Sequence, residues 1–370
     1  MSTDLLPAPR LAGAPTLPAP GPAWFGSVMG TAILATLLQL VAGHVHGGVL
    51  ASRVLLVVAW ALLIGLTAAF ARRCLADTTT LRDSLHGLVP MAQWGMVSMG
   101  LLAVGSATST VLPVWAPALA ATAWAVDAVT WVAGSTLGFA LAVGFAVRLV
   151  RREPGEPTTV WGLAVVPPMV TATTGAALAA QTDDVLRAAV LLVAIAGFAI
   201  ALCLGGIVFG VAYHHHWRVA PVPLAASTSA WIPLGIVGQS VAAAQALTVE
   251  LRSDLTADAG AALVAVAHGY GVAMLVLGVP LVAWAARVTA RGFRRGMPFS
   301  PGWWAMTFPV GTIALGAHLL GQGAGWAWAD VIATVALVTL AGTWPLCALA
   351  SARAVVSGRA ALSASRLAPC

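Results

Sequence analysis

Ten long apolar runs follow one another along this chain of 370 residues, and short polar segments separate them. A bilayer core of ~30 Å requires about 20 apolar residues per helix. Because helices and closed barrels alone satisfy every backbone polar group in lipid, runs of this length predict transmembrane helices. The predicted spans are 24–41, 54–71, 88–108, 118–150, 160–180, 185–213, 224–247, 261–288, 303–320 and 326–352.

The charge content supports a membrane protein and argues against a nucleic-acid partner. Only 8% of the residues are charged and 60% are hydrophobic, whereas soluble proteins carry about 25% charged residues. The net charge is +6, and every basic residue is arginine. Short cytoplasmic loops of membrane proteins collect such residues, which explains the positive charge without nucleic acid.

The arginines also predict the orientation of the chain. Arg53, Arg187 and Arg252 fall on one side of the predicted spans. The others all fall on the opposite side: Arg10, Arg72, Arg73, Arg82, Arg148, Arg151, Arg152, Arg218, Arg287, Arg291, Arg294, Arg295, Arg353, Arg359 and Arg366. The positive-inside rule therefore predicts a multi-pass protein of the inner or plasma membrane, with both termini in the cytoplasm.

Three regions are expected along the chain. Residues 1–21 are rich in Pro and Ala and lack the pattern of a cleavable signal peptide, so they predict a disordered cytoplasmic tail. Residues 22–352 form a ten-helix transmembrane transport domain, and 353–370 are predicted to be a short cytoplasmic tail.

Proline alternates along the predicted spans, with Pro280 in the eighth span and Pro345 in the tenth as exceptions. All odd-numbered spans carry proline at or inside the helix, namely Pro22, Pro90, Pro167 with Pro168, Pro233 and Pro309. Proline frees a backbone carbonyl, which is tolerated at membrane depth where it is buried or lines a cavity. We therefore expect an all-α polytopic fold in which five proline-kinked inner helices line a central pore and five outer helices face lipid. The alternative is that these prolines only adjust packing.

Three motifs resemble those of a known transporter family. GPAWFGSVMGTAIL opens the first span, and FSPGWWAMTFPVGTIALG covers the ninth. Between them, YHHHWRVAPVPLAASTSAWIPLGIVGQSVAA joins the sixth span to the seventh. All three are similar to the tellurite-resistance/dicarboxylate transporter family, which includes sulfite-efflux proteins, malate permeases and slow-type anion channels. The third motif is closest to the sulfite and malate branch.

This resemblance implies a fold and a gate. It implies ten helices around a five-helix pore, assembly as a homotrimer, and a pore blocked by a phenylalanine on the ninth helix, which matches Phe308. It also implies an aromatic pair on that helix, which matches Trp303 and Trp304. The implied cargo is a small anion of the sulfite, malate or C4-dicarboxylate, chloride or nitrate class.

The predicted pore helices hold almost no ionisable group. His318 near the end of the ninth span is the exception. Anions would therefore meet partial charges from hydroxyls, amides and helix ends rather than a fixed cation. The candidate pore residues are Phe25, Gln93, Thr171, Thr174, Ser229, Gln239, Ser240, Thr307 and Thr312, with Pro90, Pro168, Pro233 and Pro309 as helix kinks. The alternative for each hydroxyl is a hydrogen bond to its own helix.

Two transport mechanisms remain open. The first is a channel or uniporter gated by Phe308. The second is a proton-coupled carrier or exporter that uses the intramembrane candidates Asp127, His318 and Asp330. Catalysis would need clustered His, Asp and Glu at membrane depth, and these residues are scattered over different spans, so no enzyme is expected. Neither the scattered cysteines nor the adjacent His214, His215 and His216 predict a metal site, and no cofactor is expected.

Overall fold

A computed structural model describes residues 19–151 and 155–367, with side chains described as far as residue 357. The predicted disordered tail therefore lies almost entirely outside the described residues. Ten long helices cross the molecule: α1 Gly26–Leu40, α2 Gly48–Ala76, α3 Leu88–Trp115, α4 Ala120–Arg151, α5 Pro167–Ala179, α6 Asp184–Arg218, α7 Ile232–Leu251, α8 Ala257–Arg294, α9 Phe308–Ala324 and α10 Ala327–Leu367. Each corresponds to one predicted span, which confirms the ten-helix fold.

Most of the outer helices extend further than the apolar runs that predicted them. The second helix ends at Ala76 and the eighth at Arg294, several residues past the predicted limits. Backbone hydrogen bonding continues into the headgroup region, where polar side chains are solvated, so hydropathy underestimates helix length. The last helix continues unbroken to Leu367, through part of the segment predicted as a tail. A short helix, Thr79–Leu85, joins α2 to α3.

Burial divides the helices into two classes in strict alternation. In the odd-numbered spans, 61% to 94% of the apolar window is buried inside the protein. In the even-numbered spans, the buried share is only 22% to 33%. Large apolar side chains on even helices, such as Val129, Leu192 and Val276, are exposed on the outer surface. The odd helices are therefore the inner helices, and the even helices face lipid.

The inner helices form a closed ring. Helix α1 contacts α3, α3 contacts α5, α5 contacts α7, α7 contacts α9, and α9 returns to α1. Each outer helix packs against the inner helix before it and the inner helix after it, with α10 closing on α1. The fold is thus five helical hairpins arranged in quasi-fivefold symmetry.

Tryptophans on three outer helices reinforce this arrangement in the same way. Trp60 of α2 donates its indole N–H to Thr108 of α3 at 2.9 Å. Trp131 of α4 donates to the carbonyl of Thr171 in α5 at 3.2 Å, and Trp344 of α10 donates to Thr31 of α1 at 2.9 Å. Each bond joins an outer helix to the next inner helix, and each satisfies an indole donor that apolar surroundings would leave unpaired.

Four of the five inner spans begin as a 3₁₀ helix and become α-helical within the span. The 3₁₀ segments are Pro22–Phe25, Thr159–Ala164, Leu224–Trp231 and Pro301–Met306. Such segments seldom exceed three or four residues, so runs of six and eight mark an unusual local constraint. Pro168, Pro233 and Pro309 each occupy the second position of the α-helix that follows.

The prolines therefore act at helix starts. Within the first turn of an α-helix the missing proline N–H has no intrahelical partner to lose, so the residue is tolerated there. The expected kinks at Pro168, Pro233 and Pro309 take the form of 3₁₀-to-α junctions. Pro90 differs, because it is the third residue of α3, which is α-helical from its first residue and has no such junction.

Glycines allow the inner helices to approach one another closely. A side chain at Gly238 of α7 would overlap the backbone of α9 at Thr312 and Ile313. A side chain at Gly30 of α1 would overlap Thr307 at the start of α9. Because lipid tails are as apolar as the helices, close van der Waals packing between small residues is a main source of association energy in a membrane.

We predict that Gly238→Val lowers the free energy of unfolding by about 1 to 3 kcal/mol, the usual cost of overpacking. The neighbouring backbone of α9 cannot move aside as a flexible side chain would. Thermal unfolding of the purified protein in detergent measures the effect. Gly342→Val on α10 is the matched control, because a side chain at Gly342 meets no atom within 4 Å. Equal unfolding temperatures for the two variants would contradict this account of the ring.

Candidate functional site

Two cavities lie one after the other along the axis of the ring. The first cavity, of about 220 Å³, is lined by the beginnings of all five inner spans, including Met29, Gln93, Leu163, Ser229 and Phe308. The second cavity, of about 210 Å³, is lined by later turns of the same spans, including Ile33, Ser106, Thr174, Gln239 and Leu315. Since the five inner helices run parallel, the two cavities occupy successive levels along the axis of the ring.

Phe308 separates these cavities. It is the first residue of α9, and its side chain is only 2% exposed. Of the described residues that line the two cavities, Phe308 alone lines both. Phe308 therefore lies at the boundary between the two cavities.

Neither cavity carries a charged lining side chain in the described part of the chain. The first is mainly apolar, with Gln93, Thr228, Ser229 and Ser300 as its polar members. The second contains more hydroxyl and amide groups, namely Thr36, Ser106, Thr110, Thr173, Thr174 and Gln239. Any ion in this path would meet dipoles rather than a counter-ion.

The starts of four α-helices surround the first cavity. Gly26, Val166, Ile232 and Phe308 all line it, and they stand at the beginnings of α1, α5, α7 and α9. The N-terminal end of an α-helix carries the positive end of the helix dipole. The 3₁₀-to-α junctions therefore bring partial positive charge to the wall of a cavity that has no cationic side chain.

Many of the buried hydroxyls already donate to carbonyl oxygens. Thr174 donates to Val170 at 2.9 Å, Thr312 donates to Pro309 at 2.7 Å, and Thr307 donates to Trp304 at 2.7 Å. These bonds follow the alternative considered for hydroxyls in membrane helices, in which they bond to their own helix. Gln239 differs, since its buried Oε1 has no hydrogen-bond partner among the described residues.

The residues predicted to line the pore divide into two groups. Gln93 and Ser229 line the first cavity, Thr174 and Gln239 line the second, and Phe308 lines both. The remaining five are buried but lie outside the linings of both cavities: Phe25, Thr171, Ser240, Thr307 and Thr312. An inner helix is buried on every side and presents only one stripe to the axis, so burial and composition do not identify that stripe.

A helical spacing would have identified the lining more fully. On α1 the lining residues Gly26, Met29, Ile33, Thr36 and Leu40 recur every three or four positions. The same spacing runs along α3 through Gln93, Met96, Met99, Ala103, Ser106 and Thr110. The methionines were not predicted as lining residues, because apolar residues on such helices resemble ordinary core positions.

The candidates for proton coupling lie away from both axial cavities. Asp127 of α4 is 2% exposed and accepts a hydrogen bond from Ser109 of α3 at 2.6 Å. Asp330 and His318 line a separate cavity of about 470 Å³ between α1, α9 and α10, together with His44. None of the three candidates therefore lines an axial cavity, although His318 belongs to the inner helix α9.

A polar cleft of about 270 Å³ adjoins the first cavity. It shares Ala23 and Gln93 with that cavity and is also lined by Arg73, Asp77 and Asp83. The carboxylate of Asp77 accepts from the backbone N–H of Thr79 at 3.0 Å and from its hydroxyl at 2.9 Å. These hydrogen bonds, the backbone one foremost, hold the pKa of Asp77 below its usual value. No sequence motif predicts this cleft, which lies at the loop after α2.

Comparison with known proteins identifies relatives over most of the chain. A family profile described as SLAC1: Voltage-dependent anion channel matches residues 20–352. The chain is 26% identical over 338 residues to the sulfite efflux pump SSU1 of Arthroderma otae, a match that covers 87% of each protein. It is 25% identical over 341 residues to the sulfite efflux pump SSU1 of Trichophyton rubrum, covering 88% of each.

Ser106 and Ser109 lie one turn apart on α3 and have different roles, one in lining a cavity and the other in packing. Ser109 donates to the buried Asp127, whereas Ser106 lines the second cavity. We predict that Ser109→Ala lowers the free energy of unfolding by about 1 to 3 kcal/mol, because it leaves a buried carboxylate oxygen without its donor. Its effect on the relative rates of different anions should be small.

Ser106→Ala should show the opposite pattern, with an unchanged unfolding temperature and altered relative rates. Thermal unfolding and anion flux into proteoliposomes measure both properties in the same two variants. If Ser109→Ala changes anion preference as strongly as Ser106→Ala does, the assignment of the lining stripe on α3 is wrong.

Proposed function

The chain belongs to the SLAC1 voltage-dependent anion channel family, and on that basis we propose that it carries small anions along the axis of its inner ring. The observation that supports this proposal most strongly is the pair of successive cavities with Phe308 between them. Transport along such a path requires no catalytic residue. The hydroxyl and amide groups of its lining offer dipoles that stabilise a passing ion.

The proposed path stabilises anions weakly. Four α-helix starts direct their positive ends towards the first cavity, and hydroxyl and amide groups continue into the second. Conduction requires a site favourable enough to enter and weak enough to leave. A lining without a fixed cation meets the second requirement, and the low charge of the walls also limits attraction of cations.

Phe308 is proposed as the gate. Its ring closes the path in the absence of a stimulus, and a change of its side-chain rotamer would join the two cavities. The ring stands beside Pro309 at a 3₁₀-to-α junction, where backbone geometry changes within one turn. An apolar constriction also opposes ion passage by excluding water, so the ring need not fill the path completely to block it.

Sulfite is the first anion to test. The relatives from Arthroderma otae and Trichophyton rubrum are both described as sulfite efflux pumps. Malate and other C4-dicarboxylates, chloride and nitrate are the other members of the proposed class. Assembly as a homotrimer and location in the inner or plasma membrane with cytoplasmic termini remain part of the proposal. In that orientation the first cavity faces the cytoplasm.

A second candidate function is proton-coupled transport. The cavity between α1, α9 and α10 is lined by His44, His318 and Asp330, and His318 lies on α9, the helix that carries Phe308. A change in protonation there would alter packing against α9 and thereby couple protons to the gate. Asp127 is a less suitable coupling group, because Ser109 and the surrounding helices enclose it.

We predict that Phe308→Ala raises anion flux into proteoliposomes by at least about tenfold, the change expected when ~1.4 kcal/mol is removed from a barrier. Sulfite, chloride, nitrate and malate are offered separately, each with and without a proton gradient. Phe25→Ala is the matched control, because Phe25 is also a buried phenylalanine at the start of an inner helix but lies outside both cavities.

The result distinguishes the two candidate functions. A leak that is independent of protons and specific to Phe308→Ala supports the gated path. Loss of a proton-dependent flux in Phe308→Ala, with similar losses in His318→Gln and Asp330→Asn, supports the carrier instead. An equal increase in Phe25→Ala would mean that loosened packing, and not removal of a gate, causes the leak.

A further inference from the structure

A large groove on the outer surface takes no part in the axial path. It has a volume of about 580 Å³ and lies between α6, α7 and α8. We call it the α6–α8 groove. Its lining includes Gly206 and Gly210 of α6, Ile236 of α7 and Leu277 of α8.

Glycines create the open part of this groove. A side chain at Gly206 or Gly210 of α6 would meet no atom within 4 Å, and both residues are exposed. Gly205 instead packs against Ile236 of α7, which brings the two helices together at the base of the groove. The walls are apolar side chains of α7 and α8, so this part of the groove matches a hydrocarbon chain in polarity.

The groove becomes polar and aromatic towards the end of α6. Tyr213 stands in an aromatic cluster, with ring centroids 5.0 Å from Trp217 and 5.1 Å from Trp284. Its hydroxyl is buried and has no hydrogen-bond partner among the described residues. His214 and Arg218 complete this end. A buried hydroxyl without a partner usually indicates a missing polar group, since buried polar atoms are otherwise paired.

We propose that the α6–α8 groove binds an anionic phospholipid. One acyl chain lies along Gly206 and Gly210, the phosphate meets Arg218 and His214, and the Tyr213 hydroxyl donates to a headgroup or ester oxygen. The order of the lining, apolar and then aromatic and cationic, follows the polarity of such a lipid from tail to headgroup. Tryptophan and tyrosine are typical of this level of the bilayer, and a cation near the surface favours an anionic headgroup.

The groove shares a wall with the axial path. Pro233, Ile236 and Val237 of α7 line the groove, whereas Ile232 and Gly235 of the same helix line the first cavity. A lipid in the groove would therefore support the 3₁₀-to-α junction of α7 from behind. The binding proposal itself does not depend on which ion the path carries.

Native mass spectrometry of the full chain in mild detergent tests the proposal, with dioleoylphosphatidylglycerol and dioleoylphosphatidylcholine as probes. We expect the wild type to bind phosphatidylglycerol in preference to phosphatidylcholine. Gly206→Leu fills the groove and should abolish this preference. Arg218→Gln should weaken phosphatidylglycerol binding about fivefold, the effect of one cation near an anionic lipid.

Matched controls come from the same molecule. Gly65→Leu places a side chain on an exposed face of α2 where nothing lies within 4 Å, and Arg151→Gln removes an exposed cation at the end of α4. Both should bind phosphatidylglycerol as the wild type does. Gly210→Val provides a second groove-filling variant if Gly206→Leu fails to fold.

Three outcomes would overturn the proposal. The first is equal binding of the two lipids by the wild type, and the second is unchanged phosphatidylglycerol binding in the groove-filling variants. The third is a change of oligomeric state in Gly206→Leu with lipid binding intact, which would identify the groove as a contact between copies of the chain.

Discussion

The structure depends on one constraint, which is that lipid cannot satisfy a free backbone polar group. Each 3₁₀-to-α junction interrupts regular hydrogen bonding at a point within a span, so it must be buried in protein or line a cavity. The junctions at Val166–Pro167, Trp231–Ile232 and Thr307–Phe308 are all enclosed by neighbouring helices. The buried junctions therefore all belong to inner spans, which also include the regular helix α3, whereas the 3₁₀ segment Pro117–Leu119 before the outer helix α4 has no buried residue. The burial of the spans that carry Pro168, Pro233 and Pro309 at their junctions follows from this constraint.

The same junctions also explain the character of the path. Because α-helices begin inside the protein, their positive ends lie at the first cavity, and no arginine of the described residues lines it. Glycines such as Gly238 and Gly30 then allow the inner helices to approach until the remaining space is narrow. Phe308, the first residue of its α-helix, lines both cavities at the point where they meet, which is why it is the proposed gate.

Hydropathy and proline placement predicted the ten spans and the two rings, because both properties depend on contact with lipid along the whole length of a helix. The lining was harder to predict. Thr171 and Thr174 lie one turn apart on α5, and of the two only Thr174 lines a cavity. The composition of a fully buried helix does not show which of its sides faces the axis, so the sequence could not distinguish them. Asp127 illustrates the same difficulty, since its partner Ser109 is set by the packing of α3 against α4.

The α6–α8 groove arises from glycines whose open surroundings appear only when three helices are assembled.

The central claim is that one axial path is interrupted at Phe308. Reaction of single cysteines with a membrane-impermeant thiol reagent tests it most directly, in a background from which the native cysteines have been removed. Ser229→Cys reports on the first cavity and Thr174→Cys on the second. The account predicts that each reacts from one side of the membrane only, that the two sides are opposite, and that Phe308→Ala allows reaction of both from either side. Reaction of both cysteines from the same side, or sidedness that persists in Phe308→Ala, would contradict it.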